Sequence, residues 1–406
     1  MTNLPNLVPE TLFGVPWADN TTPAGAWAIA SSSAAAIRNG FANGASFNSL
    51  SAGLPGFSAP NINSFIGTFH TPQYQEWSLQ LEQQLDDKSQ VSLQYVGNHG
   101  IHIPITNFPN AFSVNPLTGL PVGGLSAAPF SNNFASVAEV YSGAVSNFNG
   151  LTASYTRRMT YGFTVQASYT WSHSLDDISN NGAPGTPYNG LTTISYQLNP
   201  LCLSCSNYGN ADYDIRNSFN ASYIWQTPWK FGNKYVNGAI GGWTLSQNFF
   251  ARSGLPLTVL DSTSSISNYS VNGNTPFFPA EVVGNGQSNC NQYGMGCLNA
   301  AGFATASGLT SFPNQIRNQF RGPGFFDSDL SVNKNFKLTE RVAFGIGANL
   351  YNVFNHPNFA SPVDTFGAGN FGQVLQTTAP PTGPYGSFFS GLPSGRIVQF
   401  QGKIVF

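Results

Sequence analysis

The last eleven residues, Arg396–Phe406, alternate between two kinds of side chain and end on a phenylalanine carboxylate. Consecutive side chains of an extended strand point to opposite faces. One face of this strand would carry Val398, Phe400, Gly402, Ile404 and Phe406. About ten residues is the length that a tilted strand needs to cross a bilayer core, and an apolar outer face is what a lipid-facing barrel wall requires. An edge strand of a soluble sandwich could show the same pattern, so the rest of the chain has to decide.

The composition favours a membrane barrel over a soluble protein or a helical membrane protein. Charged residues make up 8% of the chain, against about 25% in a typical soluble domain. No apolar run approaches the roughly 18 residues that a spanning helix needs, whereas aromatic residues reach 14%. This combination is typical of a barrel whose outward face alone is apolar. A net charge of −2 and scattered Lys and Arg residues give no electrostatic footprint for nucleic acid.

Alternation with a period of two residues predicts nine long strands, or about nine or ten if a loop hides one more. The clearest is Phe163–Ser172, in which every second residue is apolar and the residues between are Thr, Gln or Ser. The others are Tyr74–Leu85, Gln90–Gly97, Phe148–Arg158, Ser218–Thr227, Trp243–Arg252, Phe326–Leu338, Arg341–Phe354 and the terminal strand.

The connections between these strands alternate in length. Short links lie at 86–88, 159–161, 228–242 and 339–340, and long Gly/Asn/Pro-rich segments lie at 98–147, 174–214, 253–324 and 355–395. Outer-membrane barrels have short periplasmic turns and longer extracellular loops. The predicted fold class is therefore all-β: a transmembrane antiparallel β-barrel segment with short turns at one rim and long loops at the other.

The odd number of strands bears on the domain organisation. Because the C-terminus of a barrel lies in the periplasm, the last strand runs from outside to inside. Counting back through nine strands, the first strand runs in the same direction, which leaves the residues before it outside the cell. A self-contained bacterial barrel has an even number of strands. We therefore expect residues 1–70 to be a poorly structured extracellular loop remnant and residues 71–406 to be the C-terminal portion of a larger barrel. The first residues also lack the pattern of a signal peptide.

Several segments together resemble a known family. They are Thr71–Leu81, Leu93–Gly97, Phe148–Arg158, Ala167–Asp177, Asp212–Arg216, Gly241–Leu245, Arg321–Asp327 and Asn352–Phe359. Their order and spacing over about residues 65–406 resemble the Oar-like receptors of acidobacteria, which are related to TonB-dependent transporters. The resemblance implies a 22-stranded barrel plugged by an N-terminal domain. The family's signal peptide, carboxypeptidase-regulatory-like domain, TonB-contacting segment and plug have no counterpart in this sequence.

The terminal strand also resembles the assembly signal of bacterial outer-membrane barrels. That signal is a C-terminal aromatic residue preceded by apolar residues at alternate positions, here Val398, Phe400, Ile404 and Phe406. The resemblance implies a cell outer membrane location. It also implies contact with outer-membrane lipid, lipopolysaccharide and the barrel-assembly machinery. Contact with the TonB complex is expected only through the missing N-terminal part.

The four cysteines form two close pairs, Cys202 with Cys205 and Cys290 with Cys297. Both pairs lie in predicted extracellular loops, an oxidising environment in which thiols pair. We predict one disulfide within each pair. Free thiols and a zinc site with four thiolates are the alternatives, although the second spacing is wide for a zinc knuckle.

Polar clusters near strand ends are the remaining candidates for chemistry. His99 and His102 could join a surface metal site but are interpreted as polar loop residues. His173, followed by Asp176 and Asp177, has no identifiable nucleophile with an orienting partner. We predict no catalytic, cofactor-binding or metal-binding residue.

Two further polar groups have structural interpretations. Asp212, Asp214 and Arg216 are predicted to organise the return from loop to strand through turns and an ion pair. Asp327 and Asp329 are predicted to face the interior of the barrel as part of a polar wall.

The predicted function is that of a TonB-dependent receptor-like barrel that takes up a nutrient, with this chain contributing wall and ligand-capturing loops. No enzymatic activity and no cofactor are expected. A surface adhesin or structural outer-membrane protein is the first alternative, and a passive porin-like barrel is the second.

Overall fold

The protein is described from a computed structural model. The structure describes residues 61–107, 136–177, 204–265, 277–290, 296–306, 312–337, 341–378 and 394–406, with the separate positions 35, 38–40, 42–44, 179 and 339. Within these residues, no helix has the length and apolar character to cross a membrane.

Nine long strands form the main sheet, and each pairs antiparallel with its neighbour in the chain. They are β1 (Gln73–Asp86), β2 (Ser89–Asn107), β3 (Ser136–Thr160), β4 (Phe163–Asp176), β5 (Asn217–Gln226), β6 (Trp243–Arg252), β7 (Phe325–Lys337), β8 (Ala343–Tyr351) and β9 (Ile397–Val405). The nine strands predicted from the alternation are thus confirmed, and so is the all-β fold class. We call the end of the sheet that carries the four short links the short-turn end, and the opposite end the long-loop end.

Two strands are longer than predicted by more than ten residues each. β2 and β3 continue together beyond Gly97 and before Phe148, which adds paired residues at the long-loop end. The alternation is lost there because the register shifts between Gly100 and Pro104, and His102 has a left-handed backbone with φ of 58°. Residues Asn61–Phe65 add a short parallel strand to β3, inside the segment that we expected to be poorly structured.

β8 is several residues shorter than predicted. β8 ends at Tyr351 rather than Phe354. The next residue, Asn352, has a positive φ of 48°, and Asn is among the few residues that tolerate this conformation. The chain therefore leaves the sheet at Asn352, and the apolar Phe354 belongs to the connection that follows.

The two faces of the sheet differ in chemistry, as the alternation predicts. On the apolar face, paired positions run across five strands as Leu81, Leu93, Ala153, Tyr169 and Phe219. The large side chains of this row remain uncovered: Leu81 is 61% exposed and Phe219 is 40% exposed. Leu79, two residues before Leu81 on the same face, is 62% exposed. A soluble sheet would bury such a face against another layer. The opposite, polar face carries Gln, Ser, Thr and Asn at the alternating positions.

The apolar face also contains polar residues that the alternation did not predict. Lys334 points to this face near the short-turn end, and its ammonium lies 5.2 Å from the ring centroids of both Trp243 and Phe336. It donates a hydrogen bond of 2.6 Å to the carbonyl of Gly241. Lysine side chains near a membrane interface can extend their charged end toward polar groups in this way.

The link between β5 and β6 contains the helix α1 (Lys234–Ile240). Asn233 begins the helix as its N-cap, and its side chain accepts hydrogen bonds from the backbone of Tyr235 and Val236. The Trp243 indole donates to the carbonyl of Ala239 at 2.9 Å. This link is thus an ordered element rather than an irregular turn.

At the long-loop end, parts of three connections fold together. We call the described residues of 204–216, 253–324 and 352–378 the loop cap. Its short strands are Gly209–Asn210, Pro256–Leu257, Leu260–Ser265, Phe277–Pro279, Glu281–Val282, Phe303–Ala304, Phe320–Arg321 and Thr365–Phe366, with a 3₁₀ helix at Ala300–Gly302. A buried cluster of Leu257, Val259, Ala280, Leu298, Phe303 and Phe320 forms its core. The long connections therefore carry a packed structure of their own.

Candidate functional site: the polar cleft and the loop cap

A polar cleft of about 580 Å³ lies on the polar face and crosses β3 to β7. Its polar lining residues are Ser154, Thr156, Gln166, Ser168, Asn220, Ser222, Asn248, Asp327 and Asp329. They come together because β-pairing aligns every second residue of adjacent strands, as in the register of Ser154 with Ser168 and of Ser168 with Asn220. A cleft of this volume is in the range of small-molecule sites. Hydroxyl, amide and carboxylate groups make it suited to a hydrophilic solute.

Asp327 and Asp329 supply the acidic part of this cleft, and both lie on the polar wall where the sequence placed them. Asp327 is buried, and its Oδ1 atom has no hydrogen-bond partner among the described residues. Asp329 accepts a hydrogen bond of 3.0 Å from the backbone of Asn352. No salt bridge within the described residues involves either carboxyl group. The cleft thus offers hydrogen-bond acceptors and negative charge.

An ion-pair cluster around Asp214 joins two segments of the loop cap. The Arg216 guanidinium lies 3.1 Å from the buried Asp214 carboxylate, and Arg321 forms a second ion pair with the same oxygen. Arg321 also donates to the carbonyls of Asp214 and Gly254. The predicted ion pair between Asp214 and Arg216 is confirmed. Arg321, which lies 107 residues away in the chain, was not predicted to join this ion-pair cluster.

Arg317 links two of the long connections between strands to each other. Its side chain is fully buried and donates to the carbonyl of Asn207 at 2.8 Å and to that of Asp177 at 3.4 Å. Next to it, Asn318 donates to the carbonyl of Asn210 and to the carboxylate of Asp212. These bonds link the segment before β7 to the segment between β4 and β5. The loop cap is therefore one cross-linked unit.

Two buried carboxyl groups in the loop cap have opposite environments. Burial acts to raise the pKa of Asp261, but hydrogen bonds from Thr305, Thr263 and the backbone of Ala306 outweigh it, and the pKa falls below its usual value. Asp364 is also buried, and the Thr365 hydroxyl lies 3.5 Å from its carboxyl group. Burial raises its pKa to about 7. Asp364 is thus stable in the neutral form at mildly acidic pH.

Three of the four cysteines lie among the described residues of the loop cap. Cys290 and Cys297 are joined by a disulfide in the structure. Their buried cluster includes Val374, with Phe359 packed against it. Cys205 is disulfide-bonded as well, while Cys202 lies outside the described residues. Oxidation of both pairs in the cell stays a prediction.

The histidines and aspartates singled out in the sequence hold connections in place. His99 Nδ1 lies 2.7 Å from the Asn147 amide oxygen, and His173 Nε2 lies 3.1 Å from that of Asn210. Asp177 accepts a hydrogen bond from the backbone of Val145, and burial raises its pKa to about 6. The His102 ring lies 4.9 Å from that of His70 rather than beside His99. Among the described residues, no group of three or more His, Cys, Asp or Glu side chains could hold a metal ion.

The four residues of the C-terminal signature lie on or directly after β9, at one edge of the sheet. All are exposed, with Phe400 at 82% and Phe406 at 92%. Phe400 pairs with Ala348 of β8, and Ile404 pairs with Phe344. They extend the apolar face to the end of the chain, and their role in assembly stays a prediction.

Over residues 8–399 the sequence matches the protein family described as an outer membrane beta barrel domain. The chain belongs to this family. This barrel protein is accordingly located in the outer membrane, and lipid is the environment that its uncovered apolar face requires. No match was found among the curated proteins.

Several solved outer-membrane transporters show structural similarity to this barrel protein. The transporter YddB from Escherichia coli is 8% identical, with a TM-score of 0.41, covering 86% of this chain and 34% of that one. The iron transporter FrpB from Neisseria meningitidis is 10% identical, with a TM-score of 0.36, covering 85% and 32%. FpvA from Pseudomonas aeruginosa, solved with bound pyoverdines, is 11% identical with a TM-score of 0.38, covering 82% and 27%. The chain thus spans about a third of the length of these transporters.

Proposed function

We propose that this chain supplies barrel wall and ligand-capturing loops to a TonB-dependent receptor of the Oar-like type, which takes up a hydrophilic nutrient. The observation that carries the proposal is the pairing of two features on one sheet. The apolar face is left for lipid, while the polar face carries a cleft that lies below a packed loop cap. A solute captured at the cap would meet polar groups along the wall. Transport by the whole protein, with TonB acting through its N-terminal part, belongs to this proposal.

The orientation belongs to the proposal too: the long-loop end faces the outside and the short-turn end faces the periplasm. Two glycines provide a matched test. Gly369 lies in the loop cap and Gly232 lies in the link between β5 and β6, both are exposed, and an added Cβ at either meets no atom within 4 Å. Gly369→Cys should react with a membrane-impermeant maleimide on intact cells. Gly232→Cys should react only after the outer membrane is permeabilised. The reverse pattern would contradict the orientation.

Uptake and passive conduction give different results in planar bilayers. A plugged receptor gives little steady conductance, whereas a porin-like barrel leaves an aqueous channel. The whole protein that contains this chain should therefore be silent in bilayers, and its deletion should reduce growth on the imported nutrient in a TonB-dependent manner. Steady conductance would favour the passive barrel. Unchanged uptake of every nutrient tested, with loss of surface attachment, would favour the adhesin.

The adhesin remains the second candidate because the loop cap has its own core and cross-links. A packed surface unit of this kind suits recognition of a macromolecule as well as of a solute. The two candidates differ in which part of the structure matters. Substitutions in the cleft, such as Asn248→Leu and Ser222→Leu, should reduce uptake in a receptor and should leave adhesion unchanged.

A further inference from the structure

The basic residues, scattered along the sequence, are gathered by the fold at one end of the sheet. Nine of the 15 Lys and Arg residues lie at or within a few residues of the short links or beside the chain terminus. They are Lys88, Arg157, Arg158, Lys230, Lys234, Lys334, Lys337, Arg341 and Lys403. Four of the 17 acidic residues, Glu82, Asp86, Asp87 and Glu340, lie at or within a few residues of the same links. The short-turn end therefore carries a marked excess of positive charge.

Several of these cations form no salt bridge within the residues that the structure describes. Lys88, Arg158, Lys230 and Arg341 are exposed, and none forms a salt bridge within the described residues. Among the described residues, one ion pair lies at this end, and it joins Arg157 to Asp86 at 3.8 Å. Charges without a salt-bridge partner at the edge of a lipid-facing wall can interact with the lipid and solvent around that wall.

Exposed aromatic and aliphatic side chains lie among the cations. The link between β5 and β6 exposes Trp229, Phe231, Tyr235 and Ile240, and Tyr235 is 84% accessible. The Trp229 ring packs edge-on against Trp225, at 5.4 Å between centroids. Trp225 belongs to the apolar face through its pairing with Phe163 and Leu245. The link thus continues the apolar face beyond the strands.

The link is held in this arrangement rather than left free. Lys334 donates to the carbonyl of Gly241, and the Asn237 side chain accepts from the backbone of Phe231 at 3.0 Å. Aromatic rings at the boundary between apolar face and solvent are the usual interfacial anchors of membrane proteins. Cations beside such anchors lie at the depth of the lipid headgroups.

We propose that the short-turn end is a binding surface for anionic phospholipid headgroups. Lys88, Arg158, Lys230 and Arg341 would contact the phosphate groups, and Trp229 and Tyr235 would hold the link in the interface. Each Lys or Arg near an anionic surface contributes about 1 kcal/mol, which corresponds to roughly fivefold in local affinity. An acidic segment of a partner protein would satisfy the charges but not the exposed rings that border the lipid-facing wall. The proposal depends on the outer-membrane location and not on transport.

The test uses the full chain reconstituted in phosphatidylcholine bilayers with a trace of spin-labelled lipid. The fraction of immobilised probe is compared between phosphatidylglycerol and phosphatidylcholine labels. At low salt we expect the anionic label to be favoured by at least about threefold. In 1 M salt, where the Debye length falls to about 3 Å, the preference should approach one.

Two matched variants separate charge from structure. In the neutral variant, Lys88→Gln, Arg158→Gln, Lys230→Gln and Arg341→Gln are combined, and the preference should fall to near one. In the charge-retaining variant, Lys88→Arg, Arg158→Lys, Lys230→Arg and Arg341→Lys are combined, and the preference should be kept. Heat-modifiable gel mobility checks that both fold. If the neutral variant does not fold, the salt dependence of the unaltered chain decides.

Two results would overturn the proposal. One is equal immobilisation of the two labels by the unaltered chain at low salt. The other is an anionic preference that persists unchanged in the folded neutral variant. Salt-sensitive binding of soluble polyglutamate without any lipid preference would assign the surface to an acidic protein segment instead.

Discussion

The two ends of the sheet use arginine and lysine in opposite ways. At the short-turn end, Lys88, Arg158 and Arg341 are exposed and unpaired within the described residues. At the long-loop end, Arg317 is fully buried and bonded to backbone carbonyls, and Arg321 is bonded to Asp214. The same residue types therefore act as surface charge at one end and as internal cross-links at the other. Their substitution should have correspondingly different consequences.

The physical basis of the difference is solvation. An exposed ion pair or charge contributes little to stability because water screens it. A buried guanidinium has given up its water, so its hydrogen bonds are needed, and removal of one partner from a buried charged group is costly. The long-loop end should be sensitive to single substitutions, and the short-turn end should tolerate them.

The largest effect is expected at Arg317. Arg317→Ala removes the donors to the carbonyls of Asn207 and Asp177 and leaves those acceptors and nearby carboxyl groups without their cation. We expect the loop cap to lose about 3–5 kcal/mol of local stability. Limited proteolysis should then cut the long loops of the folded protein hundreds to thousands of times faster, while the sheet keeps its heat-modifiable mobility.

The matched control for this change is Arg341→Ala at the short-turn end. Arg341 is exposed, so its loss should alter stability by no more than about 0.5 kcal/mol. Equal protease sensitivity of the two variants would contradict the contrast between buried and exposed cations.

The next largest effect concerns the two faces of one strand. Leu81 and Gln80 are neighbours in β1 and point to opposite faces, because Leu81 pairs with Leu93 and Gln80 pairs with Gln94. Leu81→Arg places a guanidinium in lipid near the middle of the strand, at a cost of about 2–4 kcal/mol. Gln80→Arg places it on the polar face and should cost little. Urea titration of folding into lipid vesicles measures both, and similar costs would mean that the apolar face does not meet lipid.

The sequence predicts the wall far better than it predicts the loop cap. β6 coincides with its predicted bounds, because its side chains face lipid and the polar interior in turn. β2 and β3 extend past their predicted ends because a register shift and the left-handed His102 hide the alternation. The alternation did not predict that Lys334 lies on the apolar face. Its charge is accommodated there through the neighbouring rings of Trp243 and Phe336, which a pattern of alternate residues does not reveal.

The loop cap escaped prediction for a different reason. Its strands are mostly two or three residues long, too short to show a period. Its cross-links join residues such as Arg317 and Asn207, 110 positions apart, through backbone carbonyls that no side-chain pattern reveals. The excess of cations at the short-turn end is equally invisible in the sequence, since only the antiparallel order of the strands brings Lys88, Lys230 and Arg341 to one end.

A smaller effect is expected from the disulfide of the loop cap. The bond between Cys290 and Cys297 closes a loop with a sequence separation of seven, for which chain entropy gives about 2–3 kcal/mol. Cys290→Ser combined with Cys297→Ser should weaken protection of the loop cap by that amount and leave the sheet unchanged. Peptide mapping without reduction should recover the two cysteines as one linked peptide. Alkylation of both thiols in the unreduced protein would favour the free-thiol alternative.

The smallest effect is a pH dependence confined to the loop cap. The pKa of buried Asp364 is raised to about 7, above its value in an opened chain, so the folded cap binds this proton more tightly. That contribution is fully present below about pH 4 and is lost as the pH rises through 7. Asp177 lies just after β4, where its carbonyl accepts a hydrogen bond from Arg317 of the loop cap. Burial raises its pKa to about 6, so it acts in the same direction over a narrower range.

Amide hydrogen exchange can measure this dependence. Between pH 5.5 and pH 8 the opening free energy of the loop cap should fall by about 1–2 kcal/mol, after correction for the intrinsic exchange rate. Asp364→Asn keeps the shape of the side chain and cannot ionise, so it should remove most of the change. Asp261→Asn is the contrasting substitution, because four hydrogen bonds favour the ionised Asp261, and it should destabilise the cap at both pH values. The short-turn end should show no matching dependence, and a parallel loss of protection there would mean that pH acts on the whole sheet rather than on the buried carboxyl groups of the loop cap.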